Sequence, residues 1–277
     1  MKGNPFDSRA AVENSSLYFV ERSKLTRFES PVAARLAFAI EAHERFGQLV
    51  LRPDFPCLGA KAAFNDEKYG FAVYDELGRD ESTAGLCRDL CHFIQSGLMT
   101  SSEYSTFVAV FQSPIDLTEA EFETCLWRQL GKLHRADRKY FDWDKNVSRD
   151  PLDPHFSFSF AGQAFYVVGM HANSSRQARR FPWPALVFNP HEQFERIEYQ
   201  GGPWKMEANP ENNSGARGRA SGQYQSDVGR FWRAVGGPAI FRARGGGRLD
   251  TAVSKHRRKM PVRALIKKGQ ALSRPTY

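Results

Sequence analysis

The sequence predicts an α+β fold, a single domain of antiparallel strands packed with helices and followed by a basic C-terminal tail. Two observations carry this. Stretches of helical period stand before and among short aromatic and β-branched stretches without regular strand–helix alternation, which argues against a doubly wound sheet. Hydrophobic residues at 41%, with 22 Phe, supply a sizeable core, and a chain of 277 residues suits one domain with additions better than two. The resulting division is an N-terminal extension over 1–29, a main domain over 30–239 and a tail over 240–277.

The first helix is expected between Ser30 and Val50, with Ser30 as N-cap, Pro31 at the first helical position and Val32, Leu36, Ile40 and Phe46 on one face. A second is expected from Ser82 to Ser96, with Leu86, Leu90, Phe93 and Ile94 inward and Gly97 closing it. A third starts at Thr118, where Glu121 completes a capping box ahead of Phe122, Leu126, Leu130 and Leu133. Strands are expected at Phe107–Gln112, His155–Phe160, Ala164–Met170 and Ala185–Phe188, with Gly162 turning the second into the third. In His155–Phe160 strict alternation puts Phe156, Phe158 and Phe160 on one face and His155, Ser157 and Ser159 on the other, a polar face suited to lining a site.

Charge and cysteine usage narrow the function. The net charge of +8 is concentrated at the end: Phe241–Tyr277 holds 11 Lys/Arg against one Asp, leaving about −2 for the rest. Such an arm attracts polyanions, so a nucleic-acid-associated protein is the second reading of the chain. No apolar run reaches the ~18 to 20 residues that span a bilayer, and MKGNPFDSRAAVEN lacks the apolar block of a signal peptide, so a cytoplasmic protein is expected. Cysteines 57, 87, 91 and 125 lack the spacing of a disulfide scaffold and are expected reduced, with Cys87 and Cys91 as core thiols rather than a metal pair.

Two segments carry chemistry. In DFPCLGAKAAF (54–64), Cys57 opens a helix whose first N–H groups would lower its pKa, and Gly59 admits a planar partner; a buried inert thiol is the alternative. The Cys-Leu-Gly-Ala step resembles that of the thiolate haem monooxygenases. In GMHANSSRQARRFPWPALVFNPHEQFE (169–195), His171 leaves an aromatic strand and is followed by Arg176, Arg179 and Arg180, a set suited to a bis-carboxylate; a solvated basic loop is the alternative.

Together FPC (55–57), DPHFSFSF (153–160), HANSSRQARRF (171–181) and LVFNPHEQFE (186–195) resemble the YqcI/YcgG family over roughly 55–232. Its biochemically characterised members are haem-dependent N-oxygenases of natural-product (antibiotic) pathways, acting on guanidine nitrogen as in L-arginine or on 2-aminoimidazole. The resemblance therefore implies an oxidoreductase with haem b, dioxygen and an outside reductant or electron-donor protein. It implies that the helices and strands surround a haem pocket, with Cys57 or His171 as the axial metal ligand. An electron-rich thiolate favours O–O cleavage, which weighs toward Cys57. Arg176, Arg179 and Arg180 would bind propionates, His155, Ser157 and Ser159 would line the catalytic distal side, and Glu192 and Glu195 would offer counter-charge to a cationic substrate.

Overall fold

In the computed structural model, which describes residues 3–28, 35–153 and 155–193, the sheet is built around two strands that are apolar on both faces. These are β3 (Tyr69–Glu76) and β4 (Thr106–Ser113), in which Phe71, Ala72, Val73 and Phe107–Phe111 are wholly buried. A strand buried on both faces loses the alternation that marks a half-buried one, which is why YGFAVYDE gave no strand signal. Around this pair lie β1 (Leu17–Glu21), β2 (Lys24–Arg27), β5 (Phe158–Phe160), β6 (Gln163–Met170) and β7 (Ala185–Pro190), in the order β2-β1-β3-β4-β7-β6-β5. All neighbours are antiparallel except β3 and β4, which are parallel and joined through α4 (Asp80–Gln95) and the short α5 (Leu98–Ser101). The expected antiparallel α+β architecture thus holds with one βαβ unit at its centre.

Helices cover both faces. On one, α4 and α6 (Glu119–Asp137) pack Leu86, Leu90, Phe93, Phe122, Leu126 and Leu130 against Phe107, Ala109, Leu186 and Phe188. Each such side chain removed from water contributes about 1.5 to 3 kcal/mol. On the other face, α2 (Leu36–Val50) lays Ala39, Ala42, Phe46, Leu49 and Val50 over Phe71, Val73, Val108 and Val110, with α3 (Leu58–Asn65) beside it. This corrects the expected face of the first helix, since Leu36 and Ile40 are 43% and 45% exposed while Ala39 and Ala42 are sealed. Small side chains let the helix approach the sheet, and that closeness selects the buried stripe. The N-cap proposed at Ser30 lies outside the described residues, as do Pro154, Glu195 and the basic tail.

The first 28 residues contribute α1 (Arg9–Asn14), β1 and β2. They are tied to α4 by Asp89, which accepts hydrogen bonds from the Ser15 hydroxyl, from the Ser16 N–H at 2.8 Å and from the Tyr74 hydroxyl at 2.8 Å. Arg88 extends the tie, donating to Asp7 at 2.7 Å. The helix–helix approach is equally close: a Cβ on Gly85 would stand 2.1 Å from the Asn14 carbonyl oxygen. Cys87 and Cys91, also on α4, are core side chains, as expected.

At the opposite edge Ala161 and Gly162, both at positive φ (50° and 74°), close a two-residue turn between β5 and β6 with Phe160 opposite Gln163. The strand expected from His155 is shorter, beginning at Phe158. Asp153 captures the His155 N–H at 2.8 Å and the His155 carbonyl accepts from the Ser148 N–H at 3.0 Å, so the chain is committed to a turn there.

Candidate functional site

The site is assembled on α6. Thr118 and Glu121 form the expected capping box, a start signal contributing about 1 kcal/mol, and the helix then runs Glu119, Phe122, Glu123, Leu126, Trp127 and Leu130 along one face. This face does not close completely on the sheet. Between it and β6 lies a cavity of about 310 Å³, with Phe165, Val167 and Gly169 as its floor, Phe156 and Phe158 at one side, and the 171–179 loop at its mouth.

His171 ends the floor strand. Its N–H donates to the Arg179 carbonyl at 3.1 Å and its carbonyl accepts from the Phe181 N–H at 3.3 Å, which fixes its backbone beside the returning chain. Its side chain is 4% exposed, and its Nδ1 is buried with no hydrogen-bond partner. Burial pushes the imidazole pKa down, against the charge of Glu119 and a hydrogen bond to the Leu117 backbone. The neutral form, with a lone pair to give, is therefore the resting one.

The loop after His171 is stapled to the start of α6. Glu119 accepts from the Ser175 N–H at 3.2 Å and the Ser175 hydroxyl at 2.8 Å, while Asn173 donates to the Leu117 carbonyl at 3.1 Å. These bonds bring Arg176 and Arg179 to the cavity lining. Facing the same space, Glu123 is 5% exposed and its Oε1 has no partner. Burial first, and the neighbouring charge of Glu119 second, push its carboxyl up to about 7 against a hydrogen bond from Trp127.

The structure thus gathers His171, Arg176, Arg179 and Ser157 of the expected site residues. Ser157 is buried, with Oγ 2.9 Å from His191 Nδ1. Ser159 is buried but accepts from the Asp144 N–H at 2.9 Å and does not border the cavity. His155 is exposed beside Asp153, Glu192 is on the surface, and Arg180 spends its Nε on the Ser174 carbonyl at 2.7 Å. Glu195 lies outside the described residues. Cys57 does cap α3, its Sγ accepting from the Ala60 N–H at 3.3 Å, but that helix packs on the other face of the sheet. The expected lowering of its pKa is reversed: burial pushes the thiol up, outweighing the Ala60 and Gly59 N–H groups.

Glu119, Glu123 and Trp127 were not among the residues expected at a site. A signal was present, because Glu119, Glu123, Leu126 and Leu130 follow one another at helical spacing, which sets two carboxylates on a stripe otherwise apolar.

Among the described residues, no helix is long and apolar enough to cross a membrane. The protein YqcI of Bacillus subtilis (strain 168), described as uncharacterized, is 25% identical over 148 residues, covering 52% of this chain and 57% of that protein. The chain therefore spans little more than half the length of this relative. No solved structure matches the chain. The model of the YqcI/YcgG family matches residues 46–209, which is more than half of the chain and includes every described residue that borders the cavity; the chain belongs to the YqcI/YcgG family.

Proposed function

We propose that the cavity between α6 and β6 takes haem b and that the protein is a haem-dependent N-oxygenase of a small guanidine or aminoimidazole compound. The observation that carries this reading is the buried, unpartnered Nδ1 of His171 in an aromatic cavity bordered by two arginines. The lining suits the group chemically: a neutral imidazole has a lone pair for iron, the Phe and Leu walls suit a flat apolar ring, and Arg forks suit carboxylates, while seating the whole macrocycle would require the cavity of about 310 Å³ to widen. When bound, haem would supply the redox-active iron that uses dioxygen, with one oxygen atom passing to nitrogen and the other leaving as water at the expense of two electrons and two protons from an outside donor.

The chain's own residues have simpler tasks. His171 would hold the iron from the end of β6. Arg176 and Arg179 would pair with the propionates, and Phe156, Phe158 and Leu126 would exclude water. His171 is preferred to Cys57 as the residue that would hold the iron because the cavity lies on the α6 side of the sheet, whereas Cys57 caps a helix on the other side.

Titration of haem-free protein with haemin, followed by absorption and by reduced CO spectra, tests the reading. A Soret band of imidazole type is expected, lost in His171→Ala and kept in Cys57→Ala. Loss in Cys57→Ala with retention in His171→Ala overturns the ligand assignment, and no uptake by the wild type overturns the haem reading itself.

A further inference from the structure

We infer that Glu123 is the group that recognises the ligand's positive charge, binding a planar, delocalised N–H cation of the guanidinium, amidinium or imidazolium class inside the cavity. This deepens the proposed function and rests on its assignment of a nitrogen compound to this cavity.

The argument begins with cost. A carboxylate taken out of water without a partner is penalised by several kcal/mol, and proteins normally compensate it with a cation or several donors. Glu123 is 95% out of contact with water, its Oε1 has no partner, and it stands on the same helical stripe as Phe122, Leu126 and Leu130. An apolar residue at this position would complete the stripe, so the carboxylate works against packing.

The Trp127 indole N–H favours the ionised carboxyl, but Oε1 itself accepts no hydrogen bond among the described residues. The cavity's arginines lie on the 171–179 loop, where Glu119 is already committed to Ser175. Glu119 also adds a second negative charge one helical turn away, which raises the attraction for an incoming cation while making the proton on Glu123 harder to remove.

The shape of the partner follows from what surrounds the carboxylate. Aromatic and aliphatic walls at Phe122, Leu126 and Phe165 favour a flat, weakly hydrated cation over a compact ammonium, whose hydration shell is costly to strip. A guanidinium presents parallel N–H donors, matching the two oxygens of one carboxylate.

The test compares a charged probe with its neutral isostere. Butylguanidinium and butylurea have nearly the same size and the same N–H edge, and their affinities are measured by calorimetry on both haem-free and haem-loaded protein. The wild type is expected to prefer the guanidinium by at least about tenfold, the range of one charge-assisted hydrogen bond. Glu123→Gln is expected to erase the preference while leaving butylurea binding unchanged, and Glu123→Asp to retain part of it. A wild type without preference, or a Glu123→Gln protein that keeps it, overturns the inference. Haem uptake is read separately on the same samples. Failure of the wild type to take up haem, with the guanidinium preference intact, defeats the haem reading and leaves the role of Glu123 standing.

Discussion

The imidazole of His171 lies against the ring of Phe122, with centroids 4.5 Å apart and planes inclined by only 19°. The stack joins the end of β6 to the second turn of α6, so the helix sets the plane in which the imidazole is held. It depends on Gly169, two residues upstream on the same face of the strand: a Cβ there would stand 2.6 Å from both Phe122 Cε1 and Leu126 Cδ1.

Gly169→Ala should therefore do two things at once. Forcing a methyl under α6 costs about 1 to 3 kcal/mol, as overpacking of a filled site does. It should also tilt Phe122 away from His171 and weaken haem uptake. Urea denaturation and haemin titration measure the two effects, and wild-type values in both would show that the helix does not rest on this glycine.

Gly85→Ala probes the N-terminal clasp and should leave the cavity untouched. Its new methyl meets main-chain atoms of Asn14 rather than a movable side chain, so a loss of about 3 kcal/mol is expected, near the upper end for overpacking. Preserved stability would mean that α1 can move off α4 freely.

Three buried carboxyls contribute to the pH dependence. Asp89 is pushed up to about 6, chiefly by burial, and Glu123 and Asp137 to about 7 for the same first cause. A carboxyl with a raised pKa keeps its proton in the folded state when the unfolded chain has lost it. Its contribution is fully present below the unfolded value near 4 and is lost as pH rises through the folded value. These three groups should therefore make stability fall between about pH 4 and 7. Asp137 is the cleanest probe, since its Oδ1 accepts from the Ala161 N–H at 2.8 Å, a bond an amide oxygen can keep. Asp137→Asn should flatten the slope by up to about 4 kcal/mol across that window, at 1.36 kcal/mol per pKa unit, as read from urea midpoints. An unchanged slope would refute the assignment.

The arginines divide by position. Arg176 and Arg179 border the cavity, so Ala at either should weaken haem retention at least about tenfold, the equivalent of 1.4 kcal/mol. Lys should not restore it if the planar fork matters. Arg180→Ala removes the bond to the Ser174 carbonyl and should lower stability by about 1 kcal/mol with a smaller effect on haem. Equal haem affinities in all three would remove the propionate role.

Much of this was readable in the sequence. The capping box at Thr118, the helix carrying Leu86 and Leu90, the strand at Phe107 and the Gly162 turn all follow local rules of period and capping, and local rules survive folding. What escaped were features fixed by tertiary surroundings. The Tyr69–Glu76 strand is buried on both faces and so shows no alternation. The alternation of His155–Phe160 suggested a polar face, yet Ser157 and Ser159 are both buried and satisfied, and His155 is turned out by Asp153. Cys57 had the right local setting at a helix start, but which face of the sheet that helix covers is not a local property. Glu123 was visible as a charge on an apolar stripe, and only the unfilled space beside it distinguishes a site from a solvated edge.

Among the described residues, those bordering the cavity all fall between Glu119 and Arg179, while α1 to α4 and β1 to β4 lie before that stretch. The chamber is thus drawn from one continuous run of the chain, and that run also supplies α6, β5 and β6 to the shared core, with β7 completing the sheet after it. Substitutions at Phe122, Leu126 or Leu130 therefore reshape the chamber and the core together, because the same side chains face both. A segment exchange over 119–179 would move the whole described lining at once and would carry α6, β5 and β6 with it.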